Sequence, residues 1–285
     1  RATLELARGL GLSVEKGEEC CVFGLAPLVP PPSGPDVQGE GRSAGGSPDG
    51  PVRVSAGTEA VLGLRKRPMQ ASPTTAHLML DGGGCAMSCS FCAQSRGSQA
   101  RSDALSRVVW PAYRAETVWT ALRDDNPAAA RPPERVCFQV TAHAGALEET
   151  LAAVGHVRQV TRRPISVAIR PAGLEGVTAL LEAGVDAVGL GLDCADEVTY
   201  RAIKGAGWRK MIALVEQACR RFPGRIRVHL MVGLGETEEG LCRMVQQVYD
   251  WGGAVGLFAF TPVRGTPLEG RPQPPLPARA CPEHH

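Results

Sequence analysis

From residue 77 onward, short runs of apolar and β-branched residues alternate with stretches in which apolar positions recur every three to four residues. The pattern predicts strands over 77–80, 135–141, 165–170, 187–192, 226–232 and 255–261. It predicts helices over 116–123, 147–160, 208–221 and 238–251. Strand followed by helix, repeated, means parallel pairing through right-handed crossovers. The expected fold class is therefore α/β, a full or partial TIM-type barrel of about six βα units, with ligands held at the carboxyl ends of the strands. Within 135–141, side chains alternate, so Cys137, Gln139 and Thr141 share one face and Val136, Phe138 and Val140 share the other. The polar set is expected inside the barrel mouth and the apolar set against the helices.

The periodic region is preceded by a different kind of chain. Residues 1–26 carry a short amphipathic pattern and the pair Cys20-Cys21. Residues 27–51 are dominated by Pro, Gly, Ser and Asp, which cannot bury enough apolar surface to offset the entropy of ordering. That stretch is read as a linker or insert, with the barrel domain over 52–270 and a Pro-rich tail over 271–285.

Charge adds little to the picture. Lys and Arg number 31 against 29 Asp and Glu, a net +2, which makes no electrostatic case for nucleic acid or a membrane surface. Arg65-Lys66-Arg67 and Arg220-Arg221 read as solvated faces. No run approaches the roughly 18 apolar residues of a membrane span, and no signal-peptide pattern opens the chain. A cytoplasmic location is the expectation.

Cysteine changes the picture most. Of ten cysteines, three fall within eight positions of GGGCAMSCSFCAQS, as Cys85, Cys89 and Cys92 in a C-x3-C-x2-C loop directly after the first predicted strand. This is metal-site spacing rather than a disulfide framework. A structural zinc site would need a fourth Cys or His close by, and none lies beside the loop. Three thiolates suit three irons of a 4Fe-4S cube. Gly82, Gly83 and Gly84 let the backbone turn tightly before the first cysteine. Cys219 and Cys242, on predicted helices, read as small hydrophobes.

With these motifs stated, residues 77–268 resemble the radical S-adenosylmethionine superfamily, and within it the biotin synthase/lipoyl synthase-like branch. Beyond the cysteine loop, the resemblance rests on SRVVWP (106–111), LGLDCADEVTY (190–200), VHLMVGLGETEE (228–239) and LFAFTPVRGTPL (257–268). It implies a metal-binding enzyme in which Cys85, Cys89 and Cys92 hold a 4Fe-4S cluster that cleaves S-adenosyl-L-methionine to a 5'-deoxyadenosyl radical. It further implies sulfur insertion, a sulfurtransferase reaction, in lipoyl or biotin-like cofactor synthesis. The substrate would be a small molecule or a carrier-protein-bound acyl group. The electron donor would be of the ferredoxin or flavodoxin kind, and a second radical protein would be a partner.

By the same resemblance, Phe91, Asp193, Gly233, Gly235, Glu236 and Phe260 bind cofactor, and Cys137 is a candidate ligand of a second, auxiliary iron-sulfur cluster. The pattern departs from the branch at 166–169, which holds no cysteine, and at 229, which is histidine. Plainer readings stand beside these. Asp193 suits an N-cap for a helix starting near Ala195, Glu197 a first-turn charge, 233–236 a turn with Thr237 or Glu238 as cap, and Phe258 or Phe260 the core. The rival functions are another reaction of the same superfamily (methylation, methylthiolation or rearrangement) and a non-enzymatic iron-sulfur or zinc-binding module.

Overall fold

A computed structural model describes residues 50–69, 71–80, 82–129 and 132–275. Residues 1–26 with Cys20-Cys21, nearly all of 27–51, and the tail from 276 with Cys281 lie outside the described residues. Pro51, read from sequence as the last linker residue, instead opens the first strand.

The chain begins with strand β1 (Pro51–Val54) and a short helix α1 (Ala56–Val61), capped by the Ser55 side chain, which accepts from the Thr58 amide. Strand β2 (Thr75–Leu80) leads into the cysteine loop, which is followed by a two-residue hairpin, β3 (Ala104–Leu105) with β4 (Val108–Val109). Next come β5 (Ala112–Arg114), α2 (Ala115–Ala121), β6 (Arg135–Val140) and α3 (Ala146–Val160). The remaining units are β7 (Ile165–Ala168) with α4 (Leu174–Glu182), and β8 (Ala187–Asp193) with α5 (Glu197–Lys204) and α6 (Trp208–Arg221). Strand β9 (Ile226–Val232), α7 (Glu238–Asp250) and β10 (Ala254–Ala259) close the series.

Eight strands form one sheet in the order β10-β9-β8-β7-β6-β2-β1-β5. From β2 to β10 all pairings are parallel, whereas β1 lies antiparallel between β2 and β5. The two edge strands, β10 and β5, do not pair with each other, so the fold is a TIM-type partial barrel. The β1–α1–β5 extension was not foreseen in the sequence. It is fixed by a fully buried Glu59, whose carboxylate takes Arg67 Nε at 2.6 Å and the Tyr113 hydroxyl. Arg67 is therefore an ion-pair partner rather than part of a solvated face.

The core lies between the outer face of the sheet and the helices. Ala76, Leu78, Val136, Phe138, Ile165, Val167, Val188, Leu190, Ile226, Val228 and Leu230 are all buried there. Apart from Ala76, each such side chain contributes about 1.5–3 kcal/mol of burial free energy. The alternate residues face inward and are mixed: His77, Cys137, Gln139, Ser166, Gly189, Gly191, Arg227, His229 and Gly256 are polar or small, while Met79, Met231 and Phe258 are apolar. The expected division of β6 is thus the observed one, with Cys137 and Gln139 turned inward.

Candidate active site at the carboxyl ends of the strands

The loop after β2 is shaped by three consecutive glycines with positive φ, Gly82 (48°), Gly83 (82°) and Gly84 (141°). Gly82 is sterically required as well, because a Cβ there would lie 2.3–2.5 Å from three atoms of the His143 ring. That ring is itself pinned, with Nε2 2.7 Å from the Glu149 carboxylate and Nδ1 2.9 Å from the Thr141 carbonyl. The loop is then tied to its surroundings on three sides. Ala86 N–H donates to Ala142 O at 2.6 Å, Ser90 donates twice to Ile203 O (amide 2.9 Å, hydroxyl 3.1 Å), and Leu268 N–H donates to Ser90 O at 3.3 Å. Gln99 N–H reaches Gly265 O at 2.8 Å. Phe91 is half-buried against the core.

All three thiols of the loop are half-buried. Burial raises Cys89, and pushes Cys92 to about 12, because thiolates lose hydration there. Two amides already point at sulfur: Met87 N–H approaches Cys85 Sγ at 3.5 Å, and a Gln94 backbone N–H bonds Cys92. Among the described residues, no three His, Cys, Asp or Glu groups converge on a point as one metal ion requires. A cube bound at separate irons makes no such demand. The donor set of three sulfurs with amide N–H support and no carboxylate therefore suits a 4Fe-4S cluster better than a single hard cation.

Asp193 ends β8 in the left-handed region (φ 66°), at a register irregularity in its pairing with β9. A non-glycine residue held there is strained and is kept by its surroundings. Here the holder is Lys204, whose Nζ donates to Asp193 Oδ2 and to Gly191 O, each at 2.5 Å, with a side chain only 4% exposed. Burial opposes the Lys204 ammonium, but the Asp193 carboxylate and the Cys89 sulfur nearby hold its pKa above the ordinary lysine value. Lys204 follows Ile203, whose carbonyl takes both Ser90 hydrogen bonds, so Asp193 is tied through this helix end to the cysteine loop. The reading of Asp193 as a helix cap is corrected. Asp196 caps α5, accepting from Thr199 N–H at 2.8 Å, because the helix starts two residues later than the sequence suggested. Glu197 is a first-turn charge, paired with Arg201 at 3.1 Å.

In the loop after β9, both Glu236 oxygens accept backbone amides, from Gly233 at 2.6 Å and Leu234 at 2.8 Å. Glu236 thus shapes the loop, while Thr237 caps α7. The open faces of Gly233 (φ 100°) and Gly235 (φ 114°) are approached by Pro274 and Arg271 of the chain itself. Phe260 is 1% exposed and belongs to the core, so its side chain offers nothing to a ligand; its amide donates to Val232 O. Phe258 instead meets the His229 ring edge-on, with centroids 5.1 Å apart.

Inside the barrel, Cys137 accepts from Gln139 Nε2 at 3.2 Å and lies beside Ser166, and burial raises its pKa. His229 leans over Gly189 and Gly256, where added Cβ atoms would come within 2.9 Å and 3.2 Å of its ring. Burial lowers the pKa of His229, with the Asp193 charge working in the opposite direction. A cavity of about 470 Å³ opens beside the cysteine loop between Ala86, Met87, His143, Arg170 and Lys210. Sequence reasoning missed Lys204, His143 and Arg170, and noted His229 only as a departure from the branch's pattern. Lys204 could have been found by placing it on the buried helix face with Tyr200 and Ile203, positions four and one residues earlier.

Residues 79–248, more than half of the chain, match the Radical SAM superfamily, and the chain belongs to that family. Membership implies a 4Fe-4S cluster and S-adenosylmethionine as cofactors and a source of electrons. Among solved structures, the chain is similar to HydG, a maturase of the FeFe hydrogenase, at 11% identity and a TM-score of 0.52, covering 70% of this chain and 45% of that one. It is also similar to methylornithine synthase (PylB), at 18% identity and a TM-score of 0.49, covering 66% and 53%. A third similarity is to coproporphyrinogen III oxidase (HemN) from Escherichia coli, at 13% identity and a TM-score of 0.39, covering 51% and 37%. The chain thus spans about half the length of the first two. No curated protein matches it significantly. No helix among the described residues is long and apolar enough to cross a membrane.

Proposed function

We propose that this chain cleaves S-adenosylmethionine reductively at a cluster held by Cys85, Cys89 and Cys92. We propose further that it uses the resulting radical for sulfur insertion into an acyl chain, in lipoyl or biotin-like cofactor synthesis. The observation that carries the first statement is one loop that delivers three half-buried thiols to the barrel mouth and is tied to Ile203 and Leu268, with the Asp193 and Lys204 charges felt at its cysteines. When bound, the cluster supplies the electron that breaks the sulfonium carbon–sulfur bond.

The chain's own residues prepare that event. The Met87 and Gln94 amides stabilise sulfur charge, and Lys204 sets a cation beside Cys89. Asp193 offers a carboxylate suited to the paired hydroxyls of a ribose, and Phe91 and the 233–236 loop flank the nucleoside. The Phe260 contribution is through backbone groups. Electrons come from a ferredoxin or flavodoxin. Sulfur insertion rests on the resemblance to the biotin synthase/lipoyl synthase-like branch and on Cys137, turned into the barrel where a second cluster would sit. The substrate is a small molecule or a carrier-protein-bound acyl group, acted on with a second radical protein, in the cytoplasm.

Anaerobic reconstitution followed by iron and sulfide counting tests both levels. Parent protein should form 5'-deoxyadenosine with a strong reductant, and the variant with Ala at 85, 89 and 92 should not; retained formation in that variant refutes the cluster assignment. About eight irons, falling to about four in Cys137→Ala, supports sulfur insertion. About four in the parent removes it in favour of another radical reaction, such as rearrangement.

A further inference from the structure

We propose that Lys204 is a positioning residue that couples the cysteine loop to the nucleoside side of the site. It fixes the Asp193 carboxylate and sets a positive charge beside the cluster. The inference rests on the reading above, that the three cysteines hold the cluster and Asp193 meets the nucleoside.

Three observations converge on this residue. Lysine is among the side chains least often fully buried, yet this one has a side chain 4% exposed, in the last turn of α5. Its ammonium makes two short hydrogen bonds, to Asp193 Oδ2 and Gly191 O, which leaves Asp193 Oδ1 for a ligand hydroxyl. The residue immediately before it, Ile203, accepts both hydrogen bonds from Ser90, the neighbour of Cys89 in the loop. One turn of helix therefore grips the loop with its backbone and Asp193 with its side chain. Tyr200 completes the cage, with its ring centroid 5.3 Å from the ammonium and its hydroxyl 3.2 Å from Arg170.

The geometry has two consequences. A φ of 66° at Asp193 lies in the left-handed region, which Asp tolerates better than most residues with a Cβ, and the two Lys204 hydrogen bonds, to Asp193 Oδ2 and Gly191 O, hold the carboxylate in that conformation. A cation next to a thiolate-ligated cluster favours the more negative, reduced form and so raises its potential. A lysine with a purely structural role would require neither effect: losing one partner of a buried ion pair would lower stability, without moving the cluster potential or the affinity for S-adenosylmethionine.

The test uses the full chain with its cluster reconstituted, comparing parent, Lys204→Gln, Lys204→Met and Lys204→Arg. Three quantities are measured without turnover: iron content, S-adenosylmethionine affinity by anaerobic equilibrium dialysis, and cluster midpoint potential. Gln and Met should keep the radical-site iron, bind S-adenosylmethionine about 10- to 100-fold more weakly, and shift the potential to more negative values. Arg should keep the potential near that of the parent. Unchanged affinity or unchanged potential in both Gln and Met overturns the proposal, as does a shift in Arg equal to that in Gln. If Gln and Met lose iron altogether, retention in Arg supports the proposal and loss in Arg overturns it. A parent protein that holds no cluster refutes the underlying reading instead, so the two failures are distinguishable.

Discussion

Replacing Gly82 by Ala tests how the cysteine loop is set. The added Cβ would enter the space of the His143 ring, and φ at this position is 48°, in the left-handed region. The conformational part costs about 1–2 kcal/mol for a residue with a Cβ. The steric part must be met by moving His143, because the loop backbone is already fixed by Ala86 on Ala142 and by Thr141 Oγ1 on Gly84 O. Moving His143 breaks its contact with Glu149, a hydrogen bond to a charged group of about 1.5–3 kcal/mol. Together these give about 2.5–5 kcal/mol, or a lowering of the melting temperature by about 10 °C for a domain of this size. The assay is thermal or urea unfolding of the cluster-free protein, alongside iron content after reconstitution. A double variant, Gly82→Ala with His143→Ala, separates the two parts. It should show less than the sum of the single losses, because the His143–Glu149 bond is counted in both single variants and lost only once in the double, where the backbone strain is the part that Gly82→Ala adds. Full additivity would refute the steric account, and a loss below about 1 kcal/mol in the single variant would refute both parts.

Three further outcomes follow from the fold. Burial pushes His77 down to about 4, so the folded chain stays neutral there while the unfolded chain takes up a proton near its ordinary value of 6.5. Stability must then fall as pH falls through this window, by roughly 2 kcal/mol between about pH 7.5 and pH 5; an unchanged pH slope in His77→Gln would contradict it. Glu59→Gln removes the charge facing Arg67 while keeping a partner for Tyr113, and should cost about 1–2 kcal/mol in urea unfolding, since Arg67 is about a third exposed. A cost near zero would make the pair ornamental to the β1–α1–β5 extension. Asp196→Ala should lose about 1 kcal/mol through the missing cap of α5, and a melting curve identical to that of the parent would put the cap elsewhere.

What could be read from the sequence, and what could not, follows from how far each signal extends along the chain. The strands β6 to β10 and the long helices were legible because each repeats its period over enough residues to stand out; α6 and β9 were placed at their observed bounds. The short elements were not. Strand β5 has three residues and β1 four beside a Pro-rich stretch, and α4 has nine, too few turns for a helical period to declare itself. The cysteine loop was legible for a different reason, since its ligands come from one local segment whose spacing alone carries the chemistry.

The rest of the site is built from groups distant in sequence, and there the local rules gave the wrong answer or none. Asp193 satisfied every local requirement of a helix cap, and only the register irregularity in β8 and the later start of α5 released it from that role. Lys204 violated the rule that lysine faces water, and the violation makes sense once Gly191, Asp193 and Ser90 are brought to the same helix end. Glu236 read as a ligand to the cofactor, yet its two oxygens are spent on the amides of its own loop. A carboxylate that shapes a loop and one that meets a ligand look alike in sequence. They differ in whether the backbone has already claimed their oxygens, and by that criterion Asp193, with one oxygen held by Lys204, is the better candidate of the two to meet a bound nucleoside.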